Sequence, residues 1–283
     1  MWQGTPQQFY ALYSTTACLL RERFPGIKIG GYGASGFFAV TRPECNEVRR
    51  GYLAFFDGFL EHLKQDRKVP FDFFTWHLYS KEPQEVAAHA DYVRKRLDEA
   101  GFPSTESIFG EWNYVEHDTC MDDLAPWDAM RSNEGAAYAV AVFSLLQKAP
   151  CDMALYYDAF PARIYSGLYM NPEYTVSKTY YAFKAFNALY ELGTAVHTEV
   201  SGEETGIFAV AAQNGEGRQG ALLISNRERR KRNLRLKVIG MTLVQRILVL
   251  DANRVLTEVN WLLKDGILTM PPQSVMLLFF ESN

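Results

Sequence analysis

Through residue 193 the chain alternates between two hydrophobic periods. In "TPQQFYALYSTTACLLRERFPG" the residues Phe9, Leu12, Thr16 and Leu19 share one face of a helix. Thr5 is its expected N-cap, Pro6 fits the first helical position, and Gln8 completes a capping box. "IKIGGYGAS" then reads as a short strand entering a glycine-rich loop. A second helix, "PECNEVRRGYLAFFDGFLEHLKQ", carries Val48, Tyr52, Phe55, Phe59 and Leu63 at helical spacing. The strand "FDFFTWHLYS" follows. A third helix, "PQEVAAHADYVRKRLDEAG", buries Val86, Ala90, Val93 and Leu97, with Gly101 suited to the position just past its end. Strand "TESIFGEWNY", apolar helix "SNEGAAYAVAVFSLLQKA", strand "CDMALYYDAF" and helix "TVSKTYYAFKAFNALYELG" complete the series at Gly193.

Short strands, apolar on both faces and separated by helices, predict a parallel sheet covered by helices. From Thr194 the texture changes. "GIFAVAAQ", "GALLISN", "LRLKVIG", "LVQRILVLD" and "SVMLLFFES" are strand patterns divided by turn signals such as "QNGEG" and "DANR". The fold class expected is α/β over residues 1–193, followed by a small all-β sandwich over 194–283. The basic run Asn226–Lys237, "NRERRKRNLRLK", is expected to be a solvated hairpin rather than a binding patch.

Composition narrows the partners. The chain has 283 residues, a net charge of −4, 48% hydrophobic and 14% aromatic residues, which suits a large core and not disorder. A slightly acidic balance argues against nucleic acid. No apolar run reaches membrane-spanning length. Cys18, Cys45, Cys120 and Cys151 form no C-x-x-C pair and have no His at metal-ligand spacing. They read as ordinary thiols with a lean to a reducing compartment, so neither cofactor nor metal is expected. "MWQGTPQQFY" lacks the basic and apolar regions of a signal peptide, which slightly favours the cytoplasm.

In a parallel α/β array the working residues sit at the C-terminal ends of strands. Those ends supply Gly30–Gly33; Trp76, His77 and Tyr79; Glu111, Trp112 and Asn113; and Tyr157 with Asp158. Aromatics, one His and carboxylates converge, a mixture suited to sugar rings with apolar C–H faces and many hydroxyls. Each also has a plain structural reading: Trp76 and Trp112 as core, His77 as a satisfied histidine, Tyr157 and Asp158 as strand caps. "GGYG" lacks the pattern of a phosphate loop and more simply lets backbone approach closely. "GASGF" does not supply a nucleophile elbow.

The blocks "GTPQQFYALYSTTA", "PGIKIGGYGAS", "FFTWHLYS" and "GEWN", with the closing "YSGLYM" and "SKTYYAFKAFNAL", resemble the later half of family 39 glycoside hydrolases, in that family's order and spacing. The family belongs to the clan of retaining (β/α)8-barrel glycosidases. The resemblance implies the second half of such a barrel, strands five to eight, and a carbohydrate substrate such as a β-xyloside. It implies that Glu111 matches the nucleophile, with His77 and Tyr79 positioning it. Trp76, Trp112, Asn113, Tyr157 and Asp158 are the remaining candidates for substrate contact. Retaining hydrolysis needs a second carboxylate about 5–5.5 Å from the first. The family's acid/base follows an Asn just before the block that begins here at Trp2, and would fall upstream of Met1. Glu44, Glu116 and Asp158 do not occupy the matching position, and none is assigned.

Half a barrel would leave two sheet edges, so self-association is expected. Two rivals stand beside the hydrolase: a non-catalytic carbohydrate-binding or interaction protein that keeps the half-barrel, and a metal-assisted hydrolase. The absence of paired ligand spacing speaks against the second rival.

Overall fold

The computed structural model describes residues 2–116, 125–162, 164–165, 167–202, 206–241, 243–260, 263–264 and 266–282. Cys120, among the expected thiols, lies outside them. The chain divides into two compact units. One holds the residues up to Trp112 together with Ala149–Tyr156; the other holds Asn113–Lys148 and the residues from Tyr157 onward.

The first unit contains α1 (Pro6–Arg23), β1 (Gly30–Ala34), α2 (Phe38–Thr41), α3 (Glu47–Gln65), β2 (Phe73–Ser80), α4 (Pro83–Glu99) and most of β3 (Glu106–Tyr114). After α5 (Ala125–Arg131) and α6 (Asn133–Leu146), which belong to the second unit, the chain returns with β4 (Met153–Tyr156). The four strands form one sheet in the order β1-β2-β3-β4, with β1–β2 and β3–β4 pairing in parallel.

Helix α1 starts as its sequence dictates. The Thr5 hydroxyl accepts from the Gln8 N–H, and the Gln8 side chain accepts from the Thr5 N–H. Its buried face is not the expected one. Tyr10 and Ala17 are buried, whereas Leu12 and Leu19 stand about half exposed, at 51% and 50%. Tyr10 wins the inward position because its ring packs on Phe55 and Phe59 while its hydroxyl reaches the Phe55 carbonyl at 2.8 Å. Helix α3 buries Phe59 and Leu63 as expected, with Phe56 and Leu60 beside them, whereas Val48 is exposed. Helix α4 buries Val86, Ala90, Val93 and Leu97 as its pattern predicts. Gly101 takes the left-handed φ of 78° beyond its end, where the Phe102 N–H reaches back to Leu97.

Strand β2 alternates strictly. Phe74, Trp76, Leu78 and Ser80 are buried; Phe73, Thr75, His77 and Tyr79 are only partly covered. On the buried face Phe74 stacks on Phe56 of α3 at 4.3 Å, and Trp76 on Phe109 of β3 at 4.1 Å. Each such ring contributes roughly 1.5–3 kcal/mol by burial.

The second unit holds α5, α6, α7 (Lys178–Leu192) and the remaining strands: β5 (Thr194–Val196), β6 (Ile207–Gln213), β7 (Gln219–Asn226), β8 (Arg232–Arg235), β9 (Leu243–Leu250), β10 (Thr257–Glu258), β11 (Leu263–Lys264), β12 (Ile267–Met270) and β13 (Ser274–Glu281). Helix α6 is buried on all sides from Gly135 to Ser144, which explains its unbroken apolar sequence. Gly193 ends α7 with φ 86°, and β5 follows at once. A six-stranded antiparallel sheet (β10-β9-β13-β7-β6-β5) and a three-stranded one (β11-β12-β8) share one apolar cluster, with Ile224, Val249, Met276 and Leu278 facing Leu268 and Met270. Central β13 is buried from Ser274 to Leu278, so it reads as a continuous apolar run.

The basic run is not a hairpin. It connects β7 of the larger sheet to β8 of the smaller one. Arg230 and Arg232 pair with Glu228, and the Arg227 guanidinium lies 5.4 Å from the Tyr114 ring and 5.3 Å from the Tyr138 ring. Stacking of this kind gives an arginine a packing role that charge counting does not reveal.

Candidate active site

The site begins with a problem of parity. Along β3, Ser107 and Phe109 are buried. Simple alternation would send Glu111 to the same helix-covered face. Instead the register against β4 slips: Phe109 faces Ala154, but Trp112 faces Tyr156, three residues along one strand against two along the other. This is a β-bulge at Gly110–Glu111, and it returns Trp112 to the covered face, where its ring lies 6.1 Å from Phe109. Glu111 is thereby delivered to the open face, where its side chain keeps 35% exposure.

There it meets the open face of β2. The Tyr79 hydroxyl donates to Glu111 Oε2 at 2.7 Å, and His77 Nδ1 lies 3.5 Å from the same oxygen. The first is a charge-assisted hydrogen bond worth about 1.5–3 kcal/mol; the second is too long for a good one. Burial pushes the His77 pKa down, and the Glu111 charge partly opposes this. His77 is therefore neutral at pH 7.

Glycines on both neighbouring strands make room for the imidazole. A Cβ on Gly33 of β1 would lie 3.0 Å from His77 Cε1, and one on Gly110 of β3 would lie 3.2 Å from Nε2. The ring thus occupies a trough that side chains on either strand would fill. Strand β1 has its own one-residue slip between Gly30 and Gly33. The close approach expected of "GGYG" is therefore to side chains, those of Phe73, Phe71 and His77 among them. Thr75 continues the open face and donates to the Tyr32 carbonyl at 3.1 Å.

Two other candidates fall on the opposite, helix-covered face. Trp76 is fully buried on the helix side, its indole N–H donating to Ser107 Oγ at 3.0 Å; it is a core residue and offers no surface to a ligand. Trp112 is 1% exposed and packs edge-on against Tyr156 at 5.0 Å, which also makes it core. In the second unit Asn113 is buried and donates to the carbonyls of Tyr157, at 2.6 Å, and Tyr165, at 3.2 Å. It fastens the segment that carries Asp158. Tyr157 is 40% exposed. Asp158 is half-buried; burial raises its carboxyl pKa, while the Phe160 N–H, donating to Oδ1 at 3.1 Å, lowers it. Glu44 is exposed and Glu116 partly exposed.

Sequence reasoning missed a buried carboxylate behind the open face. Glu85 on α4 accepts from Thr41, Arg42 and Ser80 and is 8% exposed. Its place in the first turn of a helix gave the ordinary signal of an exposed N-terminal acid. Among the described residues, no group of three or more His, Cys, Asp or Glu side chains is placed to hold a metal ion. No described helix is long and apolar enough to cross a membrane.

No protein-family model and no curated protein matches the chain. Solved structures do. A glucosidase from Croceicoccus marinus aligns over 100% of this chain and 66% of its own, with a TM-score of 0.67 at 19% identity. A monomeric β-xylosidase from Caulobacter crescentus aligns over 99% of this chain and 66% of its own, with a TM-score of 0.63 at 17% identity. A family 44 glycoside hydrolase, the xyloglucanase of Paenibacillus polymyxa, aligns over 98% and 61%, with a TM-score of 0.66 at 13% identity. The fold is glycosidase-like. The chain spans a little under two thirds of the length of each of these proteins.

Proposed function

We propose that the chain is the C-terminal part of a retaining glycoside hydrolase of the family 39 type, acting on a β-xyloside or a related sugar. On this reading its four-stranded sheet is half of a (β/α)8 barrel and its paired antiparallel sheets form an accessory sandwich. The observation that carries the reading is Glu111: a bulge turns it to the open face of the sheet, and the Tyr79 hydroxyl holds it at 2.7 Å. The four strands and the glycosidase-like neighbours support it.

The chemistry divides by residue. Glu111 attacks the anomeric carbon and must be ionised to do so. The Tyr79 hydroxyl holds the attacking carboxylate in place. Neutral His77 lines the floor beside it. Protonation of the leaving oxygen falls to a second carboxylate, which a complete barrel would bring within about 5–5.5 Å. The sugar is bound by polar groups on the open face.

The test is covalent. A 2-fluoro-β-xyloside incubated with a protein that carries a complete barrel should leave a glycosyl ester on the peptide containing Glu111. Label on another carboxylate removes the assignment. Saturable sugar binding with neither label nor turnover in that protein favours a binding module.

A further inference from the structure

We propose that Glu85 and the three side chains that bind it form a clamp that positions the Glu111–Tyr79–His77 group from the opposite face of the sheet. The inference deepens the reading of Glu111 as nucleophile and rests on it.

Four donors converge on one buried carboxylate. Thr41 Oγ1 donates to Glu85 Oε1 at 2.8 Å, Arg42 Nε to the same oxygen at 2.6 Å, and Ser80 Oγ to Oε2 at 2.6 Å; Arg42 Nη2 also donates to Oε2. Arg42 and Glu85 keep only 16% and 11% side-chain exposure. A buried ion pair is weak evidence for stability as such, because desolvation offsets most of its attraction. What it does supply is fixed geometry.

The geometry fixed here is the end of β2. Ser80 directly follows Tyr79. Because alternate side chains point to opposite faces, the Ser80 hydroxyl is held behind the sheet while Tyr79 reaches Glu111 in front. Ser80 Oγ also accepts the Glu82 N–H at 3.0 Å, which anchors the turn into α4. From the other side, Thr41 and Arg42 tie α2 to the same carboxylate. The loop before α2 already presses on β2, since a Cβ on Gly36 would lie 3.2 Å from the His77 carbonyl. The Arg42 guanidinium sits 4.7 Å from the Phe38 ring, which steadies α2. His89, one turn along α4, donates from Nδ1 to the Glu85 carbonyl at 2.7 Å and stacks on Trp76 at 6.1 Å. The last residues of β2 are thus gripped behind the face that carries the chemistry. A shift of about 1 Å in a group that orients a reacting atom costs on the order of 100-fold in rate, so such a grip has consequences for function.

The experiment reads the front of the sheet and perturbs the back. His77 is titrated by NMR in the full chain, with and without Glu111→Gln. Loss of the Glu111 charge should lower the His77 pKa in the otherwise unaltered protein. In a Glu85→Gln background the same substitution should move His77 by less than about half as much. Ser80→Ala, which leaves the Arg42–Glu85 pair intact, gives a second, milder background with the same direction expected. An undiminished Glu111→Gln shift in the clamp variants, together with a lower Tm, would mean that the clamp only stabilises the fold, and would overturn the proposal. Absence of any shift in the unaltered background would overturn it too. Failure of the nucleophile assignment shows separately, as covalent label on a different residue.

Discussion

Phe109 and Glu111 lie two residues apart on one strand, yet their side chains occupy opposite faces of the sheet. Phe109 stacks on Trp76 among the helices; Glu111 accepts from Tyr79 on the open side. The bulge between them is what separates a covered side chain from an open one, and Gly110 is the residue that lets the strand slip beside His77.

Crowding that trough should therefore act through His77. Gly33→Val would push a side chain into the imidazole, which already lies 3.0 Å from the nearest Cβ position. The expected loss is about 1–3 kcal/mol in chemical denaturation. Combining Gly33→Val with His77→Ala should return roughly 1 kcal/mol or more of it, because the clash is between those two groups. Strict additivity of the two substitutions would show that the strain lies elsewhere.

The hydrogen bond from Tyr79 should be visible in the chemistry. In a protein with a complete barrel, Tyr79→Phe removes one charge-assisted bond, and the rate of covalent labelling at Glu111 should fall by about 10- to 150-fold. Glu111→Gln should abolish labelling and lower turnover at least about a thousandfold. A Tyr79→Phe enzyme labelled at the unaltered rate would leave the tyrosine without a role at the carboxylate.

Much of this arrangement is legible in sequence, and the remainder fails for identifiable reasons. Helix starts and stops at Thr5, Gly101 and Gly193 are local signals, read by residues that touch their own neighbours. The strand ends that present His77, Tyr79 and Glu111 follow from the alternation of apolar segments. Which face of α1 turns inward does not, because Leu12 is more apolar than Tyr10 and only the rings and the Phe55 carbonyl of α3 bring Tyr10 inward instead. The role of Trp76 is settled by strand parity, which puts it behind the sheet once His77 is in front. The β3 bulge leaves one weak trace, a glycine inside a strand. The Glu85 clamp is assembled from three separate elements, and no local pattern announces it.

His89 makes stability depend on pH. Burial holds its pKa at about 4, against an ordinary 6.5. At pH 7 both the folded and the unfolded forms are neutral and no penalty exists. As the pH falls below 6.5 the unfolded chain takes up the proton and the folded chain does not, so stability drops until the pH reaches about 4. Between pH 7 and 5 this one group should cost about 2 kcal/mol. Glu85, whose pKa is lowered by the Arg42, Ser80 and Thr41 hydrogen bonds against the opposing effect of burial, adds acid sensitivity at still lower pH. Urea unfolding of the full chain at several pH values checks this. His89→Phe should flatten the profile between pH 7 and 5, and an unchanged slope would assign the sensitivity to other groups.

The chain expressed alone should self-associate. Among the described residues, strands β1 and β4 end the parallel sheet, and an unpaired sheet edge offers a row of backbone groups to a second chain. Parallel sheets are otherwise found with both faces covered. Here Met153 and Leu155 of β4 remain 52% and 48% exposed, and Leu12 and Leu19 of α1 are as open. A short edge with large apolar side chains and no lysine among its four residues carries none of the devices that discourage pairing. Sedimentation at tens of micromolar should show dimers or larger species, a range in which weak apolar contacts of this kind become populated. Leu155→Lys places a charge on that edge and should shift the distribution toward monomer, with little change in the unfolding midpoint because the side chain is already half exposed. A monodisperse monomer across the concentration range would mean that the edges are covered in solution by something other than a second copy, and that the exposed residues of β4 do not drive association.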